Sequence, residues 1–362
     1  MKDLCLGIIV FLILVFPFPL RAELETTLEI ETIISLTRDS AGQPLLNFLA
    51  QANLGFASVG NENVKAGLEF QGLWSSELLT LPHDLLKRIF IKVNLEGLYL
   101  TFGKTHLSFG EGFVFNAGDV IFGLTLPLTD LSAKVMRDET QWLLALNIPL
   151  GDFSFLEIVF LPFSPLKNNS SLAVDLNYTR LGGRASFEIE DLKLETGYFL
   201  KADEGLHNPY LSLAFNLFFD VYLAMSLKIP WSDPSDIKWE EDLILTGGFF
   251  KIFNLAEDSR LALRFEYLFL PLANWQDFSS SPLIFFIEGN YQPIIDLTFS
   301  LRSFFSPPDL SGIVFIGVDF AIYQGFSFSI AAWCMFGPSD APYFGFGRMG
   351  DIGLNLVLHY IY

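Results

Sequence analysis

The clearest structural pattern in the sequence is found in Asp351-Ile-Gly-Leu-Asn-Leu-Val-Leu-His-Tyr-Ile-Tyr362. Leucine or tyrosine occupies every second position from Leu354 to Tyr362, whereas Asn355 and His359 fall on the alternate positions. Successive side chains of a β-strand point to opposite faces, so this period predicts a strand with one apolar face. The last residues of a soluble domain are usually frayed and polar, which makes an apolar terminal strand informative.

The same two-residue period recurs along the rest of the chain. Hydrophobic residues alternate with charged or amide residues in six further segments: 23–36, 64–74, 88–95, 192–200, 261–269 and 296–302. Phe326, Phe328 and Ile330 alternate with Ser327 and Ser329 in the same way. The strands of a soluble β-sandwich also alternate between apolar and polar residues. Such proteins rarely combine so many aromatic residues with so few charged ones.

The composition indicates the environment of these strands. Hydrophobic residues make up 51% of the chain, and its mean hydropathy is +0.41, values more typical of a membrane protein than of a soluble one. After residue 22, the range 320–339 is the one stretch long and uncharged enough for a membrane helix, but it contains Gly325, Gly337 and Pro338. An apolar chain without spanning helices can satisfy its backbone groups in lipid as a closed β-barrel.

Residues 1–22 have the pattern of a secretory signal peptide. Lys2 supplies the positive start, residues 5–16 the apolar segment, and Leu20-Arg21-Ala22 the cleavage end. Pro17 and Pro19 keep the apolar run shorter than the about 20 residues of a membrane-spanning helix. We therefore expect cleavage after Ala22 and a single transmembrane β-barrel domain from residue 23 to residue 362.

The charge balance and the rare residue types exclude several classes of function. The chain has 41 Asp and Glu against 22 Lys and Arg, a net charge of −19, which argues against nucleic acid and anionic lipid headgroups as partners because phosphate binding requires clustered basic residues. Cys5 lies in the predicted signal, so Cys334 has no partner for an intramolecular disulfide. The four histidines show no metal-ligand spacing. The sequence predicts no enzyme activity, no metal and no cofactor.

Connections between the predicted strands alternate between eight tight turns and nine longer segments, among them 37–44, 201–208 and 303–310. Short turns at one end and longer loops at the other are typical of transmembrane β-barrels. The fold class is therefore all-β, and the count predicts an antiparallel up-and-down barrel of about 18 strands with both termini at the end of the short turns.

Two predicted strands leave sixteen as the alternative count. Residues 171–190 change face midway, and Gly182-Gly183 lies at the change, which predicts a β-bulge in one long strand. Residues 131–149 contain the charged run Arg137-Asp138-Glu139, which we interpret as the solvated outer part of another long strand.

The terminal stretch, residues 351–362, resembles the closing strand of bacterial outer-membrane β-barrels. In that family, the last strand pairs with the first and carries the signal that the barrel-assembly machinery reads. The resemblance places this assembly signal on Tyr360 and Tyr362.

A second resemblance lies in residues 103–119, which are similar to a pattern of porin-like outer-membrane proteins. It is carried by Gly103-Lys104, Phe109-Gly110-Glu111-Gly112 and Asn116-Ala117-Gly118-Asp119. The chain departs from the pattern at Phe109, where Trp is commoner, and at Ala117, where Pro is expected. Glycines allow a loop to fold tightly, so this segment is predicted to turn into the lumen and narrow it. An outer structural loop is the alternative.

The candidate pore residues are the charged side chains of this loop and those opposite the apolar strand faces. In the loop they are Lys104, Glu111 and Asp119; on the strands they are Glu25, Glu29, Glu69, Lys92, Arg264, Glu266 and Arg302. An excess of inward carboxylates predicts a mild preference for cations. A solvated wall without selectivity is the alternative.

Together these patterns predict a porin-like channel for passive diffusion of small hydrophilic solutes across the outer membrane of a Gram-negative-type bacterium. Its expected partners are outer-membrane lipid, the barrel-assembly machinery and the transported solutes, and a homo-oligomer remains open. One alternative function is a non-conducting surface barrel, an adhesin or structural protein. Another is a transporter of hydrophobic compounds, favoured by the 39 phenylalanines; it would require inward-facing phenylalanines and a plugging N-terminus.

Overall fold

The computed structural model describes residues 23–38, 43–59, 63–75, 86–122, 139–162, 179–271, 283–323, 325–338 and 352–362. The predicted signal peptide, residues 1–22, lies outside these ranges. So do most of the charged interruption in the predicted strand 131–149 and the first part of the predicted strand 171–190.

Eighteen antiparallel strands form one sheet in the described part of the chain. They are β1 (Glu23–Arg38), β2 (Pro44–Val59), β3 (Val64–Ser75), β4 (Leu86–Leu95), β5 (Leu98–Thr105), β6 (Gln141–Pro149), β7 (Phe155–Leu161), β8 (Arg180–Ile189), β9 (Leu192–Lys201), β10 (Leu206–Asn216), β11 (Asp220–Leu227), β12 (Leu243–Asn254), β13 (Arg260–Phe269), β14 (Leu283–Ile294), β15 (Leu297–Ser306), β16 (Ser311–Tyr323), β17 (Phe326–Phe336) and β18 (Ile352–Ile361). Ile229–Pro230 continues β11, because both pair with β10.

The sheet closes on itself. Each strand pairs with the one before it, and β1 pairs with β18 in a register that runs from Glu29 opposite Ile361 to Thr37 opposite Gly353. Leu28 and Tyr362 exchange both backbone hydrogen bonds, at 3.0 and 2.8 Å. Closure leaves no unpaired strand edge. The predicted fold class and the count of 18 strands are confirmed.

The two faces of the sheet divide as the alternation predicted. Leu192, Phe299 and Leu358 point outward and are 37 to 42% exposed, whereas Glu195 and Arg302 point inward and are buried. We call the end where β1 begins and β18 ends the turn end, and the opposite end the loop end. Neither of the two short helical segments in the described residues, Pro234–Asp236 and Trp239–Asp242, is long and apolar enough to cross a membrane.

The inward face is not uniformly polar, which the sequence did not predict. Near the loop end, inward positions carry buried residues such as Ile284, Phe286 and Phe304, which pack against residues 113–117 of the segment after β5. A second cluster joins Phe109 and residues 120–121 of that segment to inward residues of β6, β7, β9 and β10. These wall positions contact protein and not water, because the segment enters the barrel.

The β-bulge predicted at Gly182-Gly183 is wrong. β8 pairs with β7 and β9 without a register shift across these glycines. A Cβ atom on Gly182 would lie 2.1 Å from the ring of Phe199, so this glycine provides space for a neighbouring aromatic side chain. Register shifts occur elsewhere, between Tyr291 and Ile294 and between Ala321 and Tyr323.

Three connections predicted to be long are short. Residues 39–43, 202–205 and 307–310 join their strands at the loop end and are no longer than the turns 150–154 and 255–259 at the turn end. The strands β9, β10, β15 and β16 extend into the segments that the sequence assigned to loops. The order of strands is unaffected.

Candidate pore

A cavity of about 870 Å³ lies inside the barrel. Its lining runs from Asp296, in a connection at the turn end, to Lys87 on β4, which lies level with Glu69 and Phe70 in the middle of β3. Its wall is formed by strands on both sides of the β1–β18 seam and contains Glu29, Glu31, Gln51, Asn53, Gln71, Arg264, Glu288, Asn290, Thr298, Ser300, Arg302, Asp319, Ser327, Ser329 and His359. Apolar residues, among them Phe113, Phe250, Phe315 and Val357, complete the lining, so polar and apolar groups share this part of the interior.

Residues 106–122, which we call the inserted loop, fold into the barrel and pack against its inward face. Glu266 on β13 is fully buried, and its carboxylate accepts backbone N–H groups from Phe113, Val114 and Phe115 at 2.8 to 2.9 Å. Hydrogen bonds to an ionised acceptor are about twice as strong as neutral ones. Three of them on one carboxylate fix the middle of the inserted loop against the wall.

Glu195 on β9 holds the first part of the inserted loop. Its carboxylate accepts the N–H of Gly110 at 2.6 Å and the hydroxyl of Tyr210 at 2.7 Å, and it pairs with Arg184 at 3.2 Å. The side chain is 2% exposed, so its charge is balanced by these three donors. The loop is thus attached at a second, independent point.

Arg184 on β8 connects this attachment to the neighbouring strands. Its guanidinium pairs with Glu157 at 2.8 Å and donates to the carbonyl of Ser108 at 3.0 Å. It also lies over the ring of Phe109, 4.6 Å from the centroid. A single cation therefore satisfies buried carboxylates of the wall and the backbone of the loop.

The inserted loop is also tightly folded within itself. Asp119 is 1% exposed and accepts hydrogen bonds from Ser108 Oγ and from the N–H groups of Ile121 and Phe122, each at 3.2 Å. Gly112 has φ +142°, and a Cβ atom there would lie 2.3 Å from the carbonyl oxygen of Phe115, so only glycine fits. The glycines of the sequence motif serve this close packing.

No protein-family model matches the chain, and no curated protein matches it. Solved structures do. Pseudomonas aeruginosa OpdQ has a TM-score of 0.55 at 11% identity, with 94% of this chain and 99% of that chain covered. Pseudomonas aeruginosa OccK11 has a TM-score of 0.57 at 11% identity, with 93% of this chain and 95% of that chain covered. A triple mutant of the porin from Rhodopseudomonas blastica has a TM-score of 0.50 at 9% identity, with 94% of this chain and 100% of that chain covered. The chain has a porin-type β-barrel fold. At these identities the likeness concerns the fold alone.

The three predicted loop residues occupy different places in this porin-type barrel. Lys104 is buried, lies opposite Ile89 and Trp142 in register, and donates to the carbonyl of Leu86 at 2.7 Å. Asp119 organises the inserted loop from within. Glu111 lines a second cavity of about 380 Å³ near the turn end, where it pairs with Lys193.

Among the predicted wall residues, Arg264 and Arg302 line the main cavity and share one carboxylate. Arg264 pairs with Glu288 at 2.9 Å, and Arg302 pairs with the same side chain at 2.8 Å. The guanidinium of Arg264 also lies 3.7 Å from the ring centroid of Phe113 in the inserted loop. Glu288 was not predicted, although it lies opposite Arg264 and Arg302 in the register of the neighbouring strands.

The other predicted wall residues lie away from the main cavity lining, except Glu29. Glu69 is near Lys87 and Arg88, at 3.4 and 3.5 Å, and Lys92 lies 5.3 Å from the ring centroid of Phe90. Glu25 is exposed near the start of β1, and Glu266 is covered by the inserted loop. At the C-terminus, Tyr360 lies opposite Ile30 on the outward face, and Tyr362 is 77% exposed.

Glu29 joins the first strand to the last. It accepts a hydrogen bond from Nε2 of His359 on β18 at 2.7 Å and another from Nδ2 of Asn53 at 3.1 Å. Replacing His359 by alanine removes the side-chain link across the seam, and we expect the free energy of unfolding to fall by about 1–2 kcal/mol. Urea unfolding in lipid vesicles measures the change.

Ser327→Ala is the matched control for this seam prediction. The Ser327 hydroxyl lies 3.4 Å from Nδ1 of His359, so its removal should cost clearly less than the loss of the imidazole. Equal midpoints for His359→Ala and wild type would show that the seam does not depend on this hydrogen bond.

Proposed function

We propose that the barrel is a passive channel for small hydrophilic solutes in the outer membrane of a Gram-negative-type bacterium. The observation that carries the proposal is the cavity of about 870 Å³ inside the barrel, whose lining runs from Asp296 at the turn end to Lys87, level with the middle of β3. Its wall offers amide, hydroxyl and charged groups to a hydrated solute. Transport by size exclusion and lumen electrostatics needs no chemical step.

In this proposal the inserted loop is the constriction. Phe113 lies at the main cavity, and Glu111 lies at the second cavity, so the loop borders both spaces. Lys104 and Asp119 act indirectly, since they stabilise the base and the interior of the loop. Solutes would pass along the seam wall formed by β1–β3 and β16–β18, which the inserted loop leaves open to the cavity.

The charges around the two cavities support a mild preference for cations. The main cavity has five carboxylates and three Lys or Arg side chains in its lining. The second cavity has five carboxylates, Glu111, Glu188, Glu190, Asp191 and Asp220, against Lys193. A surplus of fixed negative charge raises the local concentration of cations.

Conductance in planar lipid bilayers tests both parts of the proposal. We expect an ohmic open channel and, in a KCl gradient, a reversal potential with the sign for cation preference. Asp319→Asn should move this potential toward zero because Asp319 lines the main cavity, whereas Asp258→Asn, in the exposed turn 255–259, should leave it unchanged. An anion-selective current would contradict the assigned role of the carboxylates.

The same proposal assigns the ends of the chain. The signal peptide is removed after Ala22, the turn end faces the periplasm, and Tyr360 and Tyr362 present the signal to the barrel-assembly machinery. This is supported by the pairing of β18 with β1, which makes the C-terminal strand the closing strand. The non-conducting surface barrel would give no current in the bilayer experiment.

Transport of hydrophobic compounds is the second candidate function. Phe286, Phe304 and Phe315 face inward, as that function requires. They are 0 to 3% exposed because the inserted loop packs on them, so they support the loop and offer little surface to a passing solute. Residues 23–38 form the ordinary strand β1 and do not plug the barrel. Uptake of an uncharged aromatic compound into vesicles, without ion conductance, would favour this candidate.

A further inference from the structure

The outward-facing strand positions are almost free of charge, and Lys251 on β12 is the exception. Phe250 lines the main cavity, so Lys251 next to it points outward, as do Phe249 and Phe253. Among the strand side chains that the structure describes, the outward set contains one other charged residue, Lys104, which is buried against a backbone carbonyl. A charged side chain on a lipid-facing surface is costly unless its head group reaches the membrane interface.

Lys251 lies on an aromatic surface. Its ammonium is 4.6 Å from the ring centroid of Phe218, in the connection between β10 and β11. The centroid of that ring lies 4.9 Å from the ring centroid of Phe219 and 6.5 Å from that of Phe253. The ring centroids of Phe219 and Phe249 are 5.4 Å apart. Within the described residues, the ammonium makes no ion pair. The cation is thus held against a phenylalanine ring and has no anion as partner in the described part of the chain.

The aromatic surface continues toward the middle of the sheet. Phe249 contacts Phe265 on β13 at 5.5 Å, and Phe265 contacts Phe285 on β14 at 5.5 Å. Lys251 lies three residues before the end of β12 at Asn254, which corresponds to about 10 Å along a strand. The ammonium is therefore near the turn end of the apolar belt, and the rings lead from it toward the membrane centre.

We propose that Lys251 and Phe218 bind the phosphate of an anionic glycerophospholipid, with an acyl chain lying along Phe249, Phe265 and Phe285. The inference rests on the membrane location proposed above, in which the turn end meets the phospholipid leaflet. Phosphate complements the ammonium in charge, and basic residues at this depth attract anionic lipids. A second copy of the chain is a poorer occupant, because the described outward strand positions carry no carboxylate to pair with Lys251.

Native mass spectrometry of the full mature chain in dodecyl maltoside tests the site, with phosphatidylglycerol and phosphatidylcholine as separate probes. We expect phosphatidylglycerol to bind more tightly. Lys251→Gln should weaken its first binding step about fivefold, and Lys251→Arg should retain it. Lys65→Gln, which removes the same charge from an exposed inward position near the turn end of β3, is the matched control and should behave as wild type.

Three results would overturn the inference. The first is equal binding of the two lipids by wild type. The second is an equal loss of phosphatidylglycerol affinity in Lys251→Gln and Lys65→Gln. The third is protein dimers that disappear in Lys251→Gln, which would assign the surface to a second copy. A gel shift on heating confirms that each variant is folded. Lipid binding as expected without channel conductance would reject the proposed transport function and leave the lipid site standing, so the two failures are distinguishable.

Discussion

Glu266→Gln is expected to raise the single-channel conductance and to make it fluctuate between levels. The carboxylate of Glu266 is the common acceptor for three consecutive N–H groups at the centre of the inserted loop. Glutamine has the same shape but no charge. Its side-chain NH₂ group is itself a donor and would point at backbone N–H donors of the loop. The loop would lose its main attachment to the wall, while the strand pairing of β13 would persist.

The expected size of this effect follows from the burial of the group. Hydrogen bonds to a charged group contribute about 1.5–3 kcal/mol each, and a buried N–H without an acceptor costs a similar amount. A local loss on the order of 3 kcal/mol would raise the population of the detached loop about 100-fold. Current recordings at constant voltage would resolve the added openings.

Glu25→Gln is the matched control, because Glu25 is exposed near the start of β1 and far in sequence from the loop contacts. It should leave both the conductance level and the noise of the current unchanged. If Glu266→Gln does not fold, Thr246→Val is the milder variant, since the Thr246 hydroxyl accepts only the N–H of Ala117, at 2.9 Å. Wild-type currents in both loop variants would show that these contacts do not hold the loop.

Arg184→Ala is expected to cause the largest loss of stability. The variant leaves the carboxylates of Glu157 and Glu195, 7% and 2% exposed, without their shared cation. It also removes the stacking over Phe109. Removing one partner of a buried ion pair costs about 3–5 kcal/mol, because the remaining charge stays uncompensated. Urea unfolding in lipid vesicles, followed by gel mobility, measures the midpoint shift.

Arg264→Ala is the control for this prediction because it removes the same side chain from a similar wall position. Glu288 would keep Arg302 as its partner at 2.8 Å, so the loss should be clearly smaller. Arg184→Lys should recover part of the stability, since the charge remains but the two-sided geometry of the guanidinium does not. Equal losses in Arg184→Ala and Arg264→Ala would show that the shared cation at Glu157 and Glu195 has no special role.

Much of the fold could be predicted from alternation because one face of each strand meets lipid along its whole length. Leu354, Leu356 and Leu358 alternate for this reason, and their pairing with β1 closes the barrel. The inward face varies with what it contacts, so its residues are less predictable. Phe285-Phe286 and Phe304-Phe305 break the alternation, and such apolar pairs are the signal that the inward face meets protein there.

The candidate site was predictable as a set of charges but not as a set of partners. Arg264 and Arg302 could be placed on the inward face by parity, yet their shared carboxylate, Glu288, depends on the register of three strands. At Gly182-Gly183 the sequence suggested a local feature, a β-bulge, that the structure does not have. A glycine pair suggests a bulge locally, whereas here Gly182 makes room for Phe199 on the next strand.

The alternation of apolar and polar residues was enough to predict a closed barrel, and the connections between the strands gave 18 strands with 16 as the alternative. Lipid on one side imposes that period, and a period of two can be read along a single strand. The contacts between distant residues required the folded chain: Glu266 binds the inserted loop, Arg184 pairs with Glu157 and Glu195, and Lys251 lies over the ring of Phe218. These contacts join residues far apart in the chain, and their distances depend on loop insertion and strand register, which no local pattern encodes.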